Sequence, residues 1–253
     1  MIEVDGLTRR YGERLAVDVV SFRVEAGELL ALVGSSGSGK TTTLKMINRL
    51  VTPSAGRVLV DGEDAATLET HLLRRSIGYV FQGVGLFPHM SVGENVAVPL
   101  RLAGWEGERA RARVTELLEL VELDPQLAPR QPSELSGGQQ QRVGVARALA
   151  MSPRLMLLDE PFGALDPLTR DRLQQSFLEL RRRLDLTAVL VTHDMAEALL
   201  LADRVGVMNS GRLVQIGSPA ELLRAPADDH VALLLATPRR QARRLDELLG
   251  GGA

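Results

Sequence analysis

"LLALVGSSGSGKT", residues 29–41, is the stretch on which the fold turns. Five apolar residues, Leu29 to Val33, have the length and composition of a buried strand. They run directly into Gly34, Ser35, Ser36, Gly37, Ser38, Gly39, Lys40 and Thr41, which fill every fixed position of G-x-x-x-x-G-K-[ST]. The residues that follow, from Thr42 through "TLKMINRL", read as a helix. Strand, glycine loop and helix in that order form an anion cradle. Gly34, Gly37 and Gly39 let backbone N–H groups turn inward around phosphate oxygens. The helix N-terminus adds the positive end of its dipole. Lys40 is placed to reach β and γ phosphates, and the Thr41 hydroxyl to hold Mg²⁺. These residues point to ATP with Mg²⁺.

Working outward, three more apolar runs share the form of the first: "IGYVFQ" (77–82), "LMLLDE" (155–160) and "AVLVTHD" (188–194). Helical patterns separate them, which predicts an α/β fold with a mostly parallel central sheet. Ligands in such sheets bind at the carboxyl ends of the strands. That edge gathers Lys40, Gln82, Asp159, Glu160 and His193. Residues 2–24 and 57–62 look like further strands with turns at "DG", and predict a small antiparallel layer beside the main sheet. Residues 86–150 lack long β-branched runs, and "GERARARVTELLELVEL" has apolar residues at helical spacing, so a helical subdomain is expected there. After Pro219 one or two short helices and a frayed glycine-rich end are expected. The organisation predicted is a nucleotide-binding domain over 1–235, with the 86–150 insert, and a tail over 236–253.

The bulk properties exclude several classes. A net charge of −2 gives no global attraction to nucleic acid, and none is expected as a partner. The absence of cysteine removes disulfides and thiolate metal sites. "MIEVDGL" does not resemble a signal peptide, and no run of about 18 apolar residues occurs. The only lysines are Lys40 and Lys45, basic charge being otherwise arginine.

"LMLLDEP" ends a buried strand with two carboxylates. Burying both unpaired would be costly, and Mg²⁺ is the natural partner for Asp159. Glu160 is then free to act on the attacking water as general base. Gln82 and His193 are weak signals singly and gain weight from their shared edge.

A second polar, glycine-bearing loop, "LSGGQQQR" (135–142), has no evident ligand in this scheme. The order "GSSGSGKT", Gln82, "LSGGQ", "LMLLDEP", "GALD", His193 resembles the ATP-binding-cassette ATPases over Tyr11 to about Ala227. The resemblance implies a P-loop NTPase fold and two cassettes packed head to tail. The LSGGQ loop of one copy then closes over the γ-phosphate held by the other. Ser136, Gly137, Gly138 and Gln139 would contact that phosphate. Tyr11 would stack on adenine, Gln82 would sense Mg²⁺ and water and join Thr41 and Asp159 at the metal, Asp166 would meet the partner cassette, and His193 would hold the γ-phosphate and position Glu160.

The stretches "KMINRLVTPSAGRVLVDGED", "LRRSIGYVFQGVGLFPHMSVGENV" and "VGVARALAMSPRLMLLDEPFGALDPLTR" resemble the osmoprotectant importers of bacteria, which take up glycine betaine, choline, carnitine or proline-type solutes. This implies a homodimer, or pairing with a sister cassette, at the cytoplasmic face of the inner membrane. It also implies a permease docked in a groove over residues 82–95, and indirectly a substrate-binding protein. Leu86, Phe87, Pro88 and Met90 suit a helix-in-groove contact. With the sequence ending at Ala253, a short form without the regulatory pair of domains that many members carry is expected. An importer of another small polar solute, or a soluble scaffold ATPase without a permease, are the alternatives. Motif chemistry alone fits export equally well.

Overall fold

The structure is a computed structural model and describes residues 1–163 and 165–248. Two sheets and a set of helices are laid out around the first apolar run. Strands β1 (Ile2–Tyr11) and β2 (Arg14–Val24) form a hairpin, and β3 (Leu29–Val33) enters the central sheet. Helix α1 (Lys40–Ile47) follows the glycine loop, and β4 (Ala55–Val60) with the short β5 (Glu63–Asp64) returns to the hairpin. The antiparallel sheet has the order β2-β1-β4-β5.

Helix α2 (Thr70–Ser76) leads into β6 (Ile77–Val80), and α3 (Val92–Leu102), α4 (Gly107–Leu120) and α5 (Gly137–Ala148) follow. Strand β7 (Leu155–Asp159), helix α6 (Pro167–Leu184), strand β8 (Thr187–Thr192) and helix α7 (Met195–Leu201) alternate. The chain closes with β9 (Arg204–Asn209), β10 (Arg212–Gly217), α8 (Pro219–Arg224) and α9 (Asp229–Leu248). The six-stranded sheet has the order β10-β9-β3-β8-β7-β6, with all neighbours parallel except the β9–β10 hairpin. This is the α/β, mostly parallel architecture expected from the sequence.

Strand alternation divides the core. Leu29, Ala31 and Val33 face one way, with Met156, Leu158, Ala188 and Leu190, toward α3–α7. Leu30 and Leu32 face the other way, with Leu157, Val189 and Val191, onto Leu44 and Ile47 of α1 and onto Val4, Leu7 and Val20 of the antiparallel sheet. Helix α1 is thus packed between the two sheets, and the glycine loop is fixed where both meet.

The meeting point is bare backbone. The Asp18 N–H donates to the Gly211 carbonyl at 2.8 Å, and the Gly211 N–H donates to the Ser38 carbonyl at 3.1 Å. A Cβ on Gly39 (φ 103°) would lie 2.6 Å from the Ala16 carbonyl oxygen, so only glycine fits that approach.

Two local expectations change. Asp5-Gly6 is not a turn. It is an irregularity inside β1, where the register shifts between Val4 and Leu7, and the hairpin turn falls at Gly12-Glu13. The tail holds one short helix, α8, and one of 20 residues, α9, rather than short helices alone. Helix α9 runs across the 235/236 boundary, with Val231 and Leu235 fully buried. The glycine-rich end, 249–253, lies outside the described residues.

Candidate functional site

Lys40 is the first residue of α1 and only 5% exposed. Its Nζ donates to the Gly34 carbonyl (2.8 Å), the Ser35 carbonyl (2.9 Å) and Ser38 Oγ (3.4 Å). Burial pushes its pKa down, and the charges of Glu160 and Asp159 oppose that shift. The lysine charge is therefore held inside the loop by the loop's own oxygens.

Asp159, at the end of β7, is 2% exposed. The Thr41 hydroxyl donates to its Oδ1 at 2.8 Å, and the Tyr79 hydroxyl approaches Oδ2 at 3.4 Å. Burial raises the Asp159 pKa, against the Thr41 hydrogen bond and the charge of Lys45. Burial and Asp159 together push the Tyr79 phenol up. A buried carboxylate beside a hydroxyl is an all-oxygen donor pair, which suits a hard cation completed by phosphate oxygens and water.

Glu160 adopts a left-handed backbone (φ 47°), and its N–H donates to the Val191 carbonyl at 2.9 Å. That conformation is uncommon for a residue with a side chain and gathers at functional sites. It turns the carboxylate away from Asp159. Gln82 Nε2 donates to Glu160 Oε2 at 3.1 Å, and His193 Nδ1 lies 3.2 Å from the same oxygen. Four strand ends, those of β3, β6, β7 and β8, thus deliver Lys40, Gln82, Asp159, Glu160 and His193 to one edge. The Gln82 amide is engaged with Glu160 here rather than with Thr41 or Asp159.

Tyr11, Ser36, Gly37, Gly39, Lys40, Thr41, Thr42, Gln82 and Glu160 line one cleft, together with Arg14. Tyr11 is 46% exposed, and the Arg9 guanidinium lies 4.4 Å from its ring centroid. Arg14 pairs with Tyr11 across the hairpin, and its Nη2 lies 3.5 Å from where a Cβ on Gly37 would be. Nothing in the spacing of the sequence singles out Arg14 or Tyr79. Arg14 reaches the cleft across the β1–β2 hairpin, and Tyr79 reaches Asp159 from the neighbouring strand β6.

The LSGGQ loop is elsewhere. None of Ser136, Gly137, Gly138, Gln139 and Asp166 is among the lining of this cleft. Ser136 caps α5 by accepting from the Gln139 N–H (3.3 Å), and Gln139 Oε1 accepts from the Ser136 N–H (2.9 Å). Asp166 caps α6 through the Thr169 N–H at 3.1 Å. A Cβ on Gly138 would lie 2.5 Å from Thr169 Cγ2, so this glycine allows α5 to pack against the start of α6.

An apolar groove lies beside the cleft, and its composition departs from expectation. Phe87 lines it and is exposed, but Leu86 packs into the core, and Pro88 and Met90 are not among the lining. Phe81, Val98, Pro99 and Leu102 line it instead, facing α2. The reason is local. Buried Asn95 holds Phe87 by its N–H and carbonyl, at 2.8 and 3.1 Å, and also bonds the Met90 and Ser91 carbonyls. Arg147 clamps the carbonyls of Val84 and Gly85, at 2.9 and 2.8 Å. These two side chains set which residues of the 83–91 loop turn outward. No described helix is long and apolar enough to cross a membrane.

Comparison with known proteins agrees with this geometry. The ABC transporter family pattern matches residues 17–163. The chain is 48% identical over 247 residues to the glycine betaine/carnitine/choline transport ATP-binding protein OpuCA of Bacillus subtilis (strain 168), covering 97% of this chain and 65% of that protein. The chain thus spans less than two thirds of that relative's length. It is 51% identical over 230 residues to the sulfate/thiosulfate import ATP-binding protein CysA of Bradyrhizobium diazoefficiens, covering 89% of this chain and 66% of that protein. Among solved structures, the ATP-binding cassette MJ0796, a dimer in a post-hydrolysis state bound to ADP and Pi, superposes with a TM-score of 0.78 at 35% identity, covering 87% of this chain and 99% of that one. From the phosphate loop to the central sheet, the chain belongs to the ABC transporter family.

Proposed function

We propose that the chain is the ATP-hydrolysing, nucleotide-binding subunit of a bacterial importer for quaternary-amine osmoprotectants of the glycine betaine, choline and carnitine type. One observation carries the catalytic part. The Glu160 carboxylate sits between Gln82 and His193, one residue from the Thr41–Asp159 pair, on a cleft floored by the phosphate loop.

In this reading the loop amides and Lys40 hold the β and γ phosphates, and Tyr11 stacks on adenine. Arg14 adds a second positive charge at the mouth of the cleft. Thr41 and Asp159 would hold Mg²⁺, with Gln82 nearby, and the ion would offset charge on the phosphates. Glu160 takes a proton from the water that attacks the γ-phosphorus, the bond to the bridging oxygen breaks, and ADP leaves with that oxygen. His193 holds the γ-phosphate and keeps the Glu160 carboxylate aimed. Catalysis is mainly electrostatic and positional.

The LSGGQ loop has no phosphate of its own to act on, which favours a second copy, or a sister cassette, as the source. Ser136, Gly137, Gly138 and Gln139 would then close over the nucleotide of the partner, with Asp166 at the junction. ATP joins the two halves and hydrolysis releases them, a ligand-driven two-state element. The apolar groove would take a helix of the permease, placing the subunit on the cytoplasmic face of the membrane. We place the nucleotide-binding unit at 1–235, with 86–150 as its helical part.

The solute class rests on the stretches that resemble osmoprotectant importers and on the match over nearly the whole chain to one such ATP-binding protein. The similar identity to a sulfate importer's subunit means the solute must be measured. Co-purification in gentle detergent from native membranes, followed by uptake assays in vesicles, tests the reading. Recovery of a permease with ATP-dependent uptake of glycine betaine or choline supports it. Uptake of sulfate or an amino acid instead would replace the solute, and soluble partners alone would remove transport. Leu102→Asp, on the exposed wall of the groove, should lower permease recovery while leaving basal hydrolysis unchanged.

A further inference from the structure

Glu197, on α7, is a carboxylate that the mechanism above leaves idle, yet it is only 8% exposed. A buried carboxylate costs free energy unless it is bonded, so its place calls for a reason. Capping is not the reason. Asp194 already caps α7, accepting from the Ala196 N–H (2.8 Å) and the Glu197 N–H (3.2 Å). The Glu197 side chain instead turns inward, where Gln174 Nε2 of α6 donates to its Oε1 at 2.7 Å.

Asp194, which accepts from the Glu197 N–H, also donates its own N–H to the Thr192 hydroxyl oxygen at 3.0 Å. Both neighbours of His193 in the chain are therefore held by one network. The His193 ring is 61% exposed, so its position is governed by its backbone and by Glu160. On the other side, Arg170 stands one helical turn before Gln174, on the same face of α6. Its charge favours the ionised form of Glu197, and its Nη2 donates to the Leu165 carbonyl at 3.2 Å. Leu165 immediately precedes Asp166.

We propose that Glu197 is a positioning residue: through Gln174 of α6 it anchors the first turn of α7, whose cap Asp194 immediately follows His193. This rests on the ATPase reading. It makes Glu197 act on the reaction only through His193.

The test is a double-mutant cycle on the full chain, reading kcat and KM for Mg-ATP, with binding of a fluorescent ATP analogue and the ¹⁵N-imidazole spectrum of His193 alongside. Glu197→Ala should lower kcat about tenfold with KM nearly unchanged. Glu197→Gln can still accept from Gln174, so it should keep wild-type activity and the wild-type His193 signal. Glu197→Ala should move that signal. In the His193→Ala background, Glu197→Ala should cost nothing more. Losses that multiply in the double variant, or a His193 signal unmoved by Glu197→Ala, overturn the proposal. If Glu197→Ala fails to fold, Gln174→Leu takes its place in the same cycle under the same criteria. A wild-type chain that hydrolyses no ATP would overturn the ATPase reading instead, which separates the two failures.

Discussion

Two loops in this molecule carry glycines ahead of a helix, and their ends are finished differently. At α1 the N-cap is Gly39, with no side chain to accept from the first N–H groups. Those donors, and a buried lysine charge beside them, remain for a ligand. At α5 the Ser136–Gln139 capping box satisfies the N–H groups of Ser136 and Gln139. The first loop is open to an anion by itself. The second is chemically closed within the chain and presents little beyond the Gly137 and Gly138 amides. Under the proposed function, a loop of that kind would supplement a phosphate held by a second copy.

The contrast would be broken most visibly at Glu160. If the open loop forms a chemically complete half of the site, Glu160→Gln should lower single-turnover hydrolysis at least about 100-fold. Nucleotide binding should persist, and an ATP-dependent dimer should accumulate on size-exclusion chromatography. Normal turnover would remove Glu160 as the base. Ser136→Arg is the matching change in the closed loop. Steady-state hydrolysis should fall roughly 10- to 100-fold, while titration shows the monomer binding nucleotide within about twofold of wild type. An equal loss of monomer binding would put the second loop in its own subunit's site and end the contrast.

A smaller effect separates packing from chemistry. Gly138→Ala meets Thr169 Cγ2 and should cost about 1–3 kcal/mol in thermal unfolding. Combination with Thr169→Ser, which removes that methyl, should recover much of the loss. The smallest effect is in pH. Burial raises the Glu197 pKa above its usual 4.5. The folded state then holds the proton more tightly than the unfolded state. This contribution to stability is complete below about pH 4.5 and is lost as pH rises through the folded-state pKa. Thermal melts from roughly pH 4 to pH 8 should show Glu197→Gln gaining on wild type as pH rises.

Much of this was legible in the sequence because local chemistry and global position coincide at strand ends. A strand that ends in Gly34, Gln82, Glu160 or His193 announces both its own stop and the edge where its neighbours stop. The groove was less legible. Whether Leu86 or Phe87 faces outward depends on Asn95 eight residues later and on Arg147 far along the chain, contacts that no periodicity encodes. Tyr79 was missed for the same reason, since it reaches Asp159 through the pairing of β6 with the distant β7, and Arg14 because only the fold brings the β1–β2 hairpin beside Gly37. Asp5-Gly6 misled because that dipeptide serves as well for a bulge as for a turn.

The junction of Ser38, Gly39, Ala16, Asp18 and Gly211 has a further consequence. Three distant segments are joined there by main-chain hydrogen bonds, from the Asp18 N–H to Gly211 and from the Gly211 N–H to Ser38. Ordinary surfaces between layers can be tuned by trading one side chain for another. Here the two hydrogen bonds belong to the backbone, while the neighbouring Asp18–Arg212 ion pair, at 2.6 Å, is the part that a side-chain exchange can grade. The link between the nucleotide floor and the outer sheet thus has a part set by the backbone and a part, at Asp18 and Arg212, open to variation.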